Sequence, residues 1–122
     1  MMKSHEGEFY SMQRLEEKKC VPCTGETPPL KHEEIQRLRT ELGEGWNVVN
    51  DHHIEKTFKF KNFRQALHFT NKVGRLAEHE GHHPDIYLAW GKVRILLWTH
   101  VIDALSENDF IMGAKIDKLR TP

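Results

Sequence analysis

The longest helical pattern of the chain follows Asn62. Asn62 is a residue type that caps a helix start, Gln65 can complete a capping box, and Gly81 suits the left-handed residue after a last turn. Pro84 disfavours a helical conformation at His83, so the helix has to end before it. The positions at helical spacing are Phe63, Ala66, Leu67, Thr70, Val73 and Ala77, with Phe69 and Leu76 widening the stripe. The pattern predicts one long helix between Asn62 and Gly81.

Two further helices are predicted, one on each side of this central region. The first helix has apolar residues at helical spacing, Ile35, Leu38 and Leu42, and it is predicted to end at Gly43 or Gly45. The last helix begins at Ser106, and Asp109 three residues later can complete a capping box. Its apolar positions, including a hydrophobic staple at the start, are Leu105, Phe110, Met112, Ile116 and Leu119.

Alternating apolar and polar residues predict two hairpins between the helices. The segments are strands 46–49 and 54–61 around a turn at 50–51, then strands 86–90 and 93–100 around a turn at 91–92. The element order is α-β-β-α-β-β-α. The predicted fold class is therefore α+β, with a single domain in which helices cover one face of a four-stranded antiparallel sheet.

Alternate residues of the last strand face opposite sides of the sheet. One side carries Val93, Ile95 and Leu97, and the other carries Leu96, Trp98 and His100. If the first set meets the helices, His100 points away from them unless the strand end twists or bulges. The apolar side chains of Leu96 and Trp98 on the second side indicate that another subunit covers the open face or an edge of the sheet.

Composition and charge narrow the function classes. Eighteen basic residues balance eighteen acidic ones, so no net positive field favours nucleic acid or an anionic membrane. No apolar run approaches the roughly 18 residues of a membrane span. The first residues lack the apolar core of a secretory signal. We expect a cytoplasmic protein that binds neither nucleic acid nor membrane.

Residues 1–30 are predicted to form an N-terminal extension, and residues 31–122 the domain. The extension contains Cys20-Val21-Pro22-Cys23, followed by Pro28 and Pro29 in a loop-like composition. A zinc site would need two more ligands at workable spacing, and a redox motif would need a flanking strand and helix. We interpret the cysteines as a reduced pair, with a metal or redox role as the alternative.

Histidines are the candidates for chemistry. His82 and His83 follow the central helix, and His100 ends the last predicted strand. An imidazole can give or take a proton near neutral pH without a large pKa shift, so three histidines at adjoining element ends can form an acid–base site. His52-His53 lies in a predicted turn and is assigned no role.

These histidines are part of a longer pattern. It consists of Glu78-His79-Glu80-Gly81-His82-His83-Pro84, Trp90, Thr99-His100 and Asp109, with similarity continuing through residues 59–63, 66–71 and 105–109. The pattern resembles the signature of the pterin-4a-carbinolamine dehydratases. Residues 20–23 and 28–30 resemble an N-terminal stretch of bacterial members. Two departures are Lys31, where a capping Thr or Ser is common, and Gly81, where an acidic residue is frequent.

The resemblance implies an activity. Members remove water from a 4a-hydroxytetrahydropterin to give the quinonoid dihydropterin, which recycles the cofactor of aromatic amino acid hydroxylases through a separate reductase. By this resemblance His82 and His100 are the acid–base pair, and His83 mainly holds the substrate while assisting. Neither a metal nor an organic cofactor is expected.

The resemblance also implies a set of substrate-binding residues. They are Glu78, Gly81, Pro84, Trp98, Thr99 and Asp109. Two of them have structural alternatives, because Glu78 can be a solvated carboxylate and Asp109 can be the capping acid of the last helix. Trp90 is predicted to pack in the fold rather than to stack on substrate.

Two other functions remain open from the sequence. The chain could be a non-catalytic interaction module of the same fold that acts as a dimerisation partner. It could also be a metal protein that combines the histidines with Cys20 and Cys23. The resemblance further predicts a homodimer or homotetramer.

Overall fold

The computed structural model describes residues 13–120, so the N-terminal residues used to judge a secretory signal lie outside the described part. The elements are α1 (His32–Thr40), β1 (Asn47–Val49), β2 (His53–Lys59), α2 (Phe63–Glu80), β3 (Asp85–Ala89), β4 (Lys92–Leu97) and α3 (Glu107–Arg120). Two short 3-10 turns, Leu15–Glu17 and His100–Ile102, complete the list. The predicted order and the α+β class are confirmed.

The four strands form one antiparallel sheet in the order β1-β2-β4-β3. Its central pair is in the register Ile54↔Leu97 and Phe58↔Val93. The face of this pair that meets the helices carries five buried apolar residues, Ile54, Phe58, Val93, Ile95 and Leu97. It also carries Lys56, whose Nζ atom binds Asp117 of α3. Between them on the other face lie Glu55, Thr57 and Arg94, so the helices cover one side only. That arrangement agrees with the predicted layers.

Helix α2 begins and ends as its sequence predicts. The side-chain oxygen of Asn62 accepts a hydrogen bond from the N–H of Gln65 at 2.9 Å, and Gly81 closes the helix at φ 69°. The predicted apolar stripe is wrong at one edge, because Phe63 and Leu67 are exposed. The helix presents Ala66, Phe69, Val73 and Ala77 to the core, which leaves Phe63 and Leu67 on its flank.

Both hairpins form, with small shifts from the predicted bounds. Asn50 and Asp51 have φ values of 54° and 53°, the two left-handed residues of a tight hairpin turn. In the second hairpin Ala89 pairs with Lys92, so the turn lies at residues 90–91, one residue earlier than predicted. Trp90 is 69% exposed in this turn, and the prediction that it packs within the fold is wrong for the single chain.

The last strand is shorter than predicted. It ends at Leu97, and His100 lies in the 3-10 turn that follows. Thr99 turns away to form an isolated bridge with Ala104, and Asp103 adopts a left-handed conformation at φ 49° that closes the turn. A strand running to His100 is therefore wrong, and the pleat does not decide where the His100 imidazole points.

The described part of the N-terminal extension lies against the domain. Leu15 is buried in the core, and the N–H of Leu30 donates to the carbonyl of Leu105 at 3.0 Å. The division of the chain at residue 30 stays a prediction. Within residues 13–120, no helix has the length and apolarity needed to cross a membrane.

Candidate active site

One cleft collects most of the residues singled out from the sequence. Its volume is about 370 Å³, and it opens where the end of α2, the loop after β4, the start of α3 and the N-terminal segment meet. Its lining residues are Cys20, Val21, Pro22, Cys23, Glu80, Gly81, His82, His83, Trp98, Thr99, His100, Val101 and Asn108. The three predicted catalytic histidines thus line one cavity.

The end of helix α2 positions His82. The left-handed Gly81 reverses the chain there, and the N–H groups of Gly81 and His82 both donate to the carbonyl of Ala77. The His82 side chain is only 11% exposed, and its Nε2 atom lies 2.6 Å from Oδ1 of the fully buried Asp109. A fixed imidazole next to a buried carboxylate is the strongest polar contact of the cleft.

Asp109 joins three parts of the site. Its second oxygen, Oδ2, accepts the Thr99 hydroxyl at 2.9 Å and the Ser106 backbone N–H at 2.9 Å. The Thr99 and Ser106 hydroxyls are in turn 2.7 Å apart. The carboxylate therefore caps α3, as the sequence predicts for Asp109, and at the same time holds His82 and the residue preceding His100.

This geometry selects one tautomer of His82. The Oδ1 atom of an ionised Asp109 can only accept, so Nε2 of His82 carries the hydrogen and donates it. Nδ1 is then the atom with a free lone pair, and no residue from 13 to 120 is hydrogen-bonded to it. A neutral imidazole held in this way can take a proton on Nδ1, and the carboxylate would stabilise the cation that forms.

His83 is held more loosely. Its Nε2 atom lies 2.6 Å from Oε2 of Glu78, but both side chains are on the surface, at 59% and 79% exposure. Exposed pairs of this kind contribute little energy. Glu78 therefore orients His83 at the mouth of the cleft and does not reach into it, since it is absent from the lining.

Trp98 supports His100. The two ring centroids are 4.4 Å apart, and Nε2 of His100 lies 3.9 Å from Oδ1 of Asp85. Trp98 also contacts the rings of His52 and His53, with centroid distances of 5.4 and 5.9 Å. The histidine pair assigned no role from the sequence is therefore packed directly behind the Trp98–His100 wall.

The His52–His53 pair is itself ordered by polar contacts. Nε2 of His52 lies 2.8 Å from Oδ1 of Asp103, and the two Nδ1 atoms lie 3.0 Å apart. Burial lowers the pKa of His53, and the neighbouring His52 acts in the same direction. A neutral His53 packs against Trp98 without a desolvated charge. No spacing in the sequence indicates this contact, because it depends on how the turn after β1 meets the loop after β4.

The Cys20–Cys23 segment forms another wall. The N–H of Cys20 donates to Oε1 of Glu80 at 3.0 Å, and Nζ of Lys115 donates to Oε2 at 3.1 Å. Burial, with the Glu80 carboxylate beside it, raises the pKa of Cys20 to about 12. In the absence of a metal, Cys20 is therefore a neutral thiol at neutral pH. Among residues 13–120 no three His, Cys, Asp or Glu side chains are grouped to hold a metal ion.

Glu80 gives a pH-dependent prediction. Burial opposes ionisation of its carboxyl, but the Cys20 N–H and the Lys115 ammonium outweigh it and hold the pKa below its ordinary value. A folded-state pKa below the unfolded one stabilises the fold at pH values above the unfolded pKa, roughly 4.3, and this stabilisation is lost as the pH falls through the folded-state value.

We expect Glu80→Gln to lower the free energy of unfolding by about 1–3 kcal/mol at pH 7, because Lys115 loses its partner. Urea unfolding of both proteins from pH 3 to pH 8 measures the difference, which should be constant above pH 6 and shrink towards pH 3. A difference independent of pH would contradict the assignment of the ionised carboxylate.

The predicted site residues separate into two groups. His82, His83, His100, Gly81, Trp98 and Thr99 line the cleft, whereas Glu78, Pro84 and Asp109 do not. Asp109 lies behind His82, so it can act on a substrate only through that histidine. Asn108 and Glu80, which hold the N-terminal segment, were not selected from the sequence.

A larger cavity of about 740 Å³ lies elsewhere, between α2 and the end of α3. Its lining includes Lys59, Lys61, Arg64, Lys72 and Arg120 but neither a carboxylate nor a histidine pair. The smaller cleft is the candidate active site because it combines proton-transfer groups with a buried carboxylate.

Comparison with known proteins identifies the family of the chain. The family model described as pterin 4 alpha carbinolamine dehydratase matches residues 28–119. A protein of Alkaliphilus metalliredigens, provisionally named a pterin-4-alpha-carbinolamine dehydratase, is 60% identical over 88% of this chain and 96% of its own length. One of Rubrobacter xylanophilus with the same provisional name is 54% identical over 88% of this chain and all of its own.

Solved structures share the fold. A Brucella melitensis protein described as a transcriptional coactivator/pterin dehydratase superposes with a TM-score of 0.72 at 29% identity, covering 77% of this chain and 100% of that one. A pterin dehydratase-like protein described as a RuBisCO assembly factor of the alpha-carboxysome gives a TM-score of 0.54 at 24% identity, over 62% and 89% of the two chains. The second likeness concerns the fold alone.

Proposed function

Because the chain belongs to the pterin-4a-carbinolamine dehydratase family, a family of hydro-lyases, we propose that it removes water from 4a-hydroxytetrahydropterin by histidine acid–base catalysis. The observation that carries the proposal is the contact between His82 and the buried Asp109, at the edge of a cleft that His83 and His100 also line. This places one oriented imidazole and two more accessible ones around a single space.

The reaction needs two proton movements. The substrate carries a hydroxyl group on C4a and a hydrogen on N5 of the pterin ring. One imidazolium donates a proton to the departing hydroxyl, so that water leaves with the C4a–O electron pair. A neutral imidazole takes the N5 hydrogen as a proton, and the electron pair of the broken N5–H bond stays with the substrate and forms the C4a=N5 bond of the quinonoid dihydropterin. No electron is gained or lost overall.

The environments of His82 and His100 suit these two tasks. Asp109 holds Nε2–H of His82 and leaves Nδ1 available, which suits a base and, once charged, an acid. His100 is half exposed on Trp98 with Asp85 nearby, so solvent can restore its proton after each turnover. His83, paired with Glu78 at the mouth, is assigned to holding the substrate.

The decisive assay is stopped-flow dehydration of 4a-hydroxytetrahydropterin, with the uncatalysed rate as reference. Wild-type protein should accelerate the reaction, and a His82→Ala variant that keeps its melting temperature should lose most of the acceleration. Wild-type protein that leaves the uncatalysed rate unchanged would contradict the proposed function.

The pH dependence of the rate is a further prediction. If two histidines exchange protons with the substrate, kcat/KM should follow a bell whose limbs lie within a few units of neutrality. The measurement is the same stopped-flow assay between pH 5 and pH 9, corrected for the uncatalysed reaction at each pH. A flat profile over that range would rule out the histidine pair as the proton-transfer groups.

A non-catalytic binding role is the second candidate, since the Brucella relative is described as a transcriptional coactivator as well as a dehydratase. A dimerisation partner would need a surface that binds another protein, and it would not need the histidines of the cleft. A variant that combines His82→Ala with His100→Ala would then retain every binding function while losing dehydration. The two roles are compatible, and the variant separates them.

The remaining links follow from the proposed reaction. We propose that its substrate is left by an aromatic amino acid hydroxylase and that its product is reduced by a dihydropterin reductase. The cytoplasmic location expected from the sequence is part of this proposal. The predicted homodimer or homotetramer is tested by sedimentation equilibrium, and the exposed Phe63 on α2 and Trp90 on the second hairpin supply apolar surface for it.

A further inference from the structure

We propose that the N-terminal strap, defined as residues 20–23, is a wall of the substrate site and selects the substituent at C6 of the pterin ring through Val21 and Pro22. The inference rests on the proposed function and deepens it. The cleft lining contains all four strap residues together with the three histidines. These residues belong to a segment that the sequence alone identifies as an extension outside the domain.

The strap is fastened to the domain by its backbone. The side chain of Asn108 makes two opposite hydrogen bonds to Val21, accepting its N–H at 3.0 Å and donating to its carbonyl at 2.6 Å. The Asn108 amide group also donates to Sγ of Cys23 at 3.3 Å. Glu80 holds the N–H of Cys20 on the other side. Asn108 is buried, so these contacts are sheltered from water.

The two fastening residues adjoin the catalytic ones. Asn108 directly precedes Asp109, and Glu80 is two residues before His82. The strap is therefore attached to the end of α2 and to the start of α3. The contact between His82 and Asp109, which holds the imidazole, joins the same two helix ends. A substrate positioned for proton transfer at His82 lies beside the strap, because both belong to one cleft of about 370 Å³.

The surface that the strap offers is apolar. Its N–H groups at Cys20 and Val21 and its carbonyl at Val21 are already hydrogen-bonded to Glu80 and Asn108, while Pro22 has no N–H. The Val21 side chain is 63% exposed and contributes nothing to the core. The side chains of Val21 and Pro22 cannot satisfy the amino and oxo groups of the pyrimidine ring, but they can cover a carbon substituent.

The chemistry of the ring places that substituent. C6 is bonded to N5, the atom that loses its proton, so a group on C6 has to lie next to the proton-transfer histidines. The strap is the apolar surface fastened to the helix end that carries His82. Val21 is therefore assigned as a residue that determines specificity and takes no part in proton transfer.

The test compares two substrates on the full-length chain. One is a 4a-hydroxytetrahydropterin with a propyl group on C6, and the other has hydrogen at C6. Val21→Ala should raise KM for the substituted substrate roughly fivefold and Val21→Asp by about tenfold or more, because apolar contact is lost and a charge meets the alkyl group. We expect kcat to change less than twofold, and KM for the unsubstituted substrate to stay constant.

Leu67→Ala and Leu67→Asp are the matched controls, since Leu67 is also an exposed aliphatic residue but lies outside the cleft lining. Melting temperatures confirm that all four variants fold. An unchanged KM for the substituted substrate in Val21→Asp would overturn the assignment, and so would an equal rise for both substrates. A wild-type protein without dehydratase activity would instead contradict the proposed function, which keeps the two failures distinct.

Discussion

Replacing Asp109 with Asn is expected to lower kcat by about 10²–10⁴-fold, the range of a lost general acid–base contribution. The amide group would present either an N–H donor or a weaker, neutral oxygen to Nε2 of His82. In the first case Nε2 accepts the amide hydrogen, so the neutral imidazole has to carry its own hydrogen on Nδ1. Nδ1 then has no lone pair with which to take a proton from the substrate. In either case the imidazolium that forms during turnover loses its neighbouring negative charge.

The same substitution should also destabilise the fold by about 0.5–2 kcal/mol, because Asp109 caps α3 through the Ser106 N–H. The matched control is Asp117→Asn, on the same helix, whose carboxylate binds Lys56 and Trp46 away from the cleft. It should lower stability and leave kcat unchanged. If Asp109→Asn loses stability but keeps the wild-type kcat, Asp109 is a capping residue only.

The second large effect is expected from removing two histidines together. C4a of the substrate is stereogenic, so the hydroxyl group can leave from either face of the ring. His82 extends from a helix end and His100 from the 3-10 turn after β4, so the two imidazoles can flank the ring from different directions. We expect them to be partly redundant, each serving one substrate epimer better than the other.

Each of the variants His82→Ala and His100→Ala should retain measurable activity biased towards one epimer, while the double variant should lose far more than either, with non-additive losses. His83→Ala should mainly raise KM. Stopped-flow measurements on separated 4a epimers distinguish these outcomes, with His68→Ala, an exposed histidine of α2 outside the cleft lining, as the control. Equal losses on both epimers in each single variant would show that the histidines act as one unit.

Local signals in the sequence predict most of the fold. The Asn62 cap and the Gly81 stop bracket α2 correctly, because each acts within a few residues of its own position. The strand after the second turn is predicted to run to His100, whereas it ends three residues earlier, at Leu97. Its end depends on Thr99 pairing with Ala104 and on the left-handed Asp103, and neither leaves a hydrophobic pattern.

The site is predicted in part. The three histidines follow from a motif whose members lie at element ends, and the fold brings them to one cleft. The partners behind them do not follow from spacing. His53 reaches Trp98 across the sheet, and Asn108 reaches Val21 over 87 positions of the chain, so only tertiary packing reveals these contacts. Asp109 is recognisable as a cap, but its contact with His82 is not.

The carboxylate of Glu80 has a consequence for oxidative chemistry. A Cys-x-x-Cys sequence usually suggests a thiol ready for exchange, yet peroxides and disulfides are attacked by the thiolate and not by the thiol. Burial, with the Glu80 carboxylate beside it, raises the pKa of Cys20 to about 12, so the thiol form dominates at neutral pH. Burial, assisted by the Glu80 carboxylate, therefore disfavours the reactive thiolate of Cys20, and the neutral thiol packs as a small apolar group.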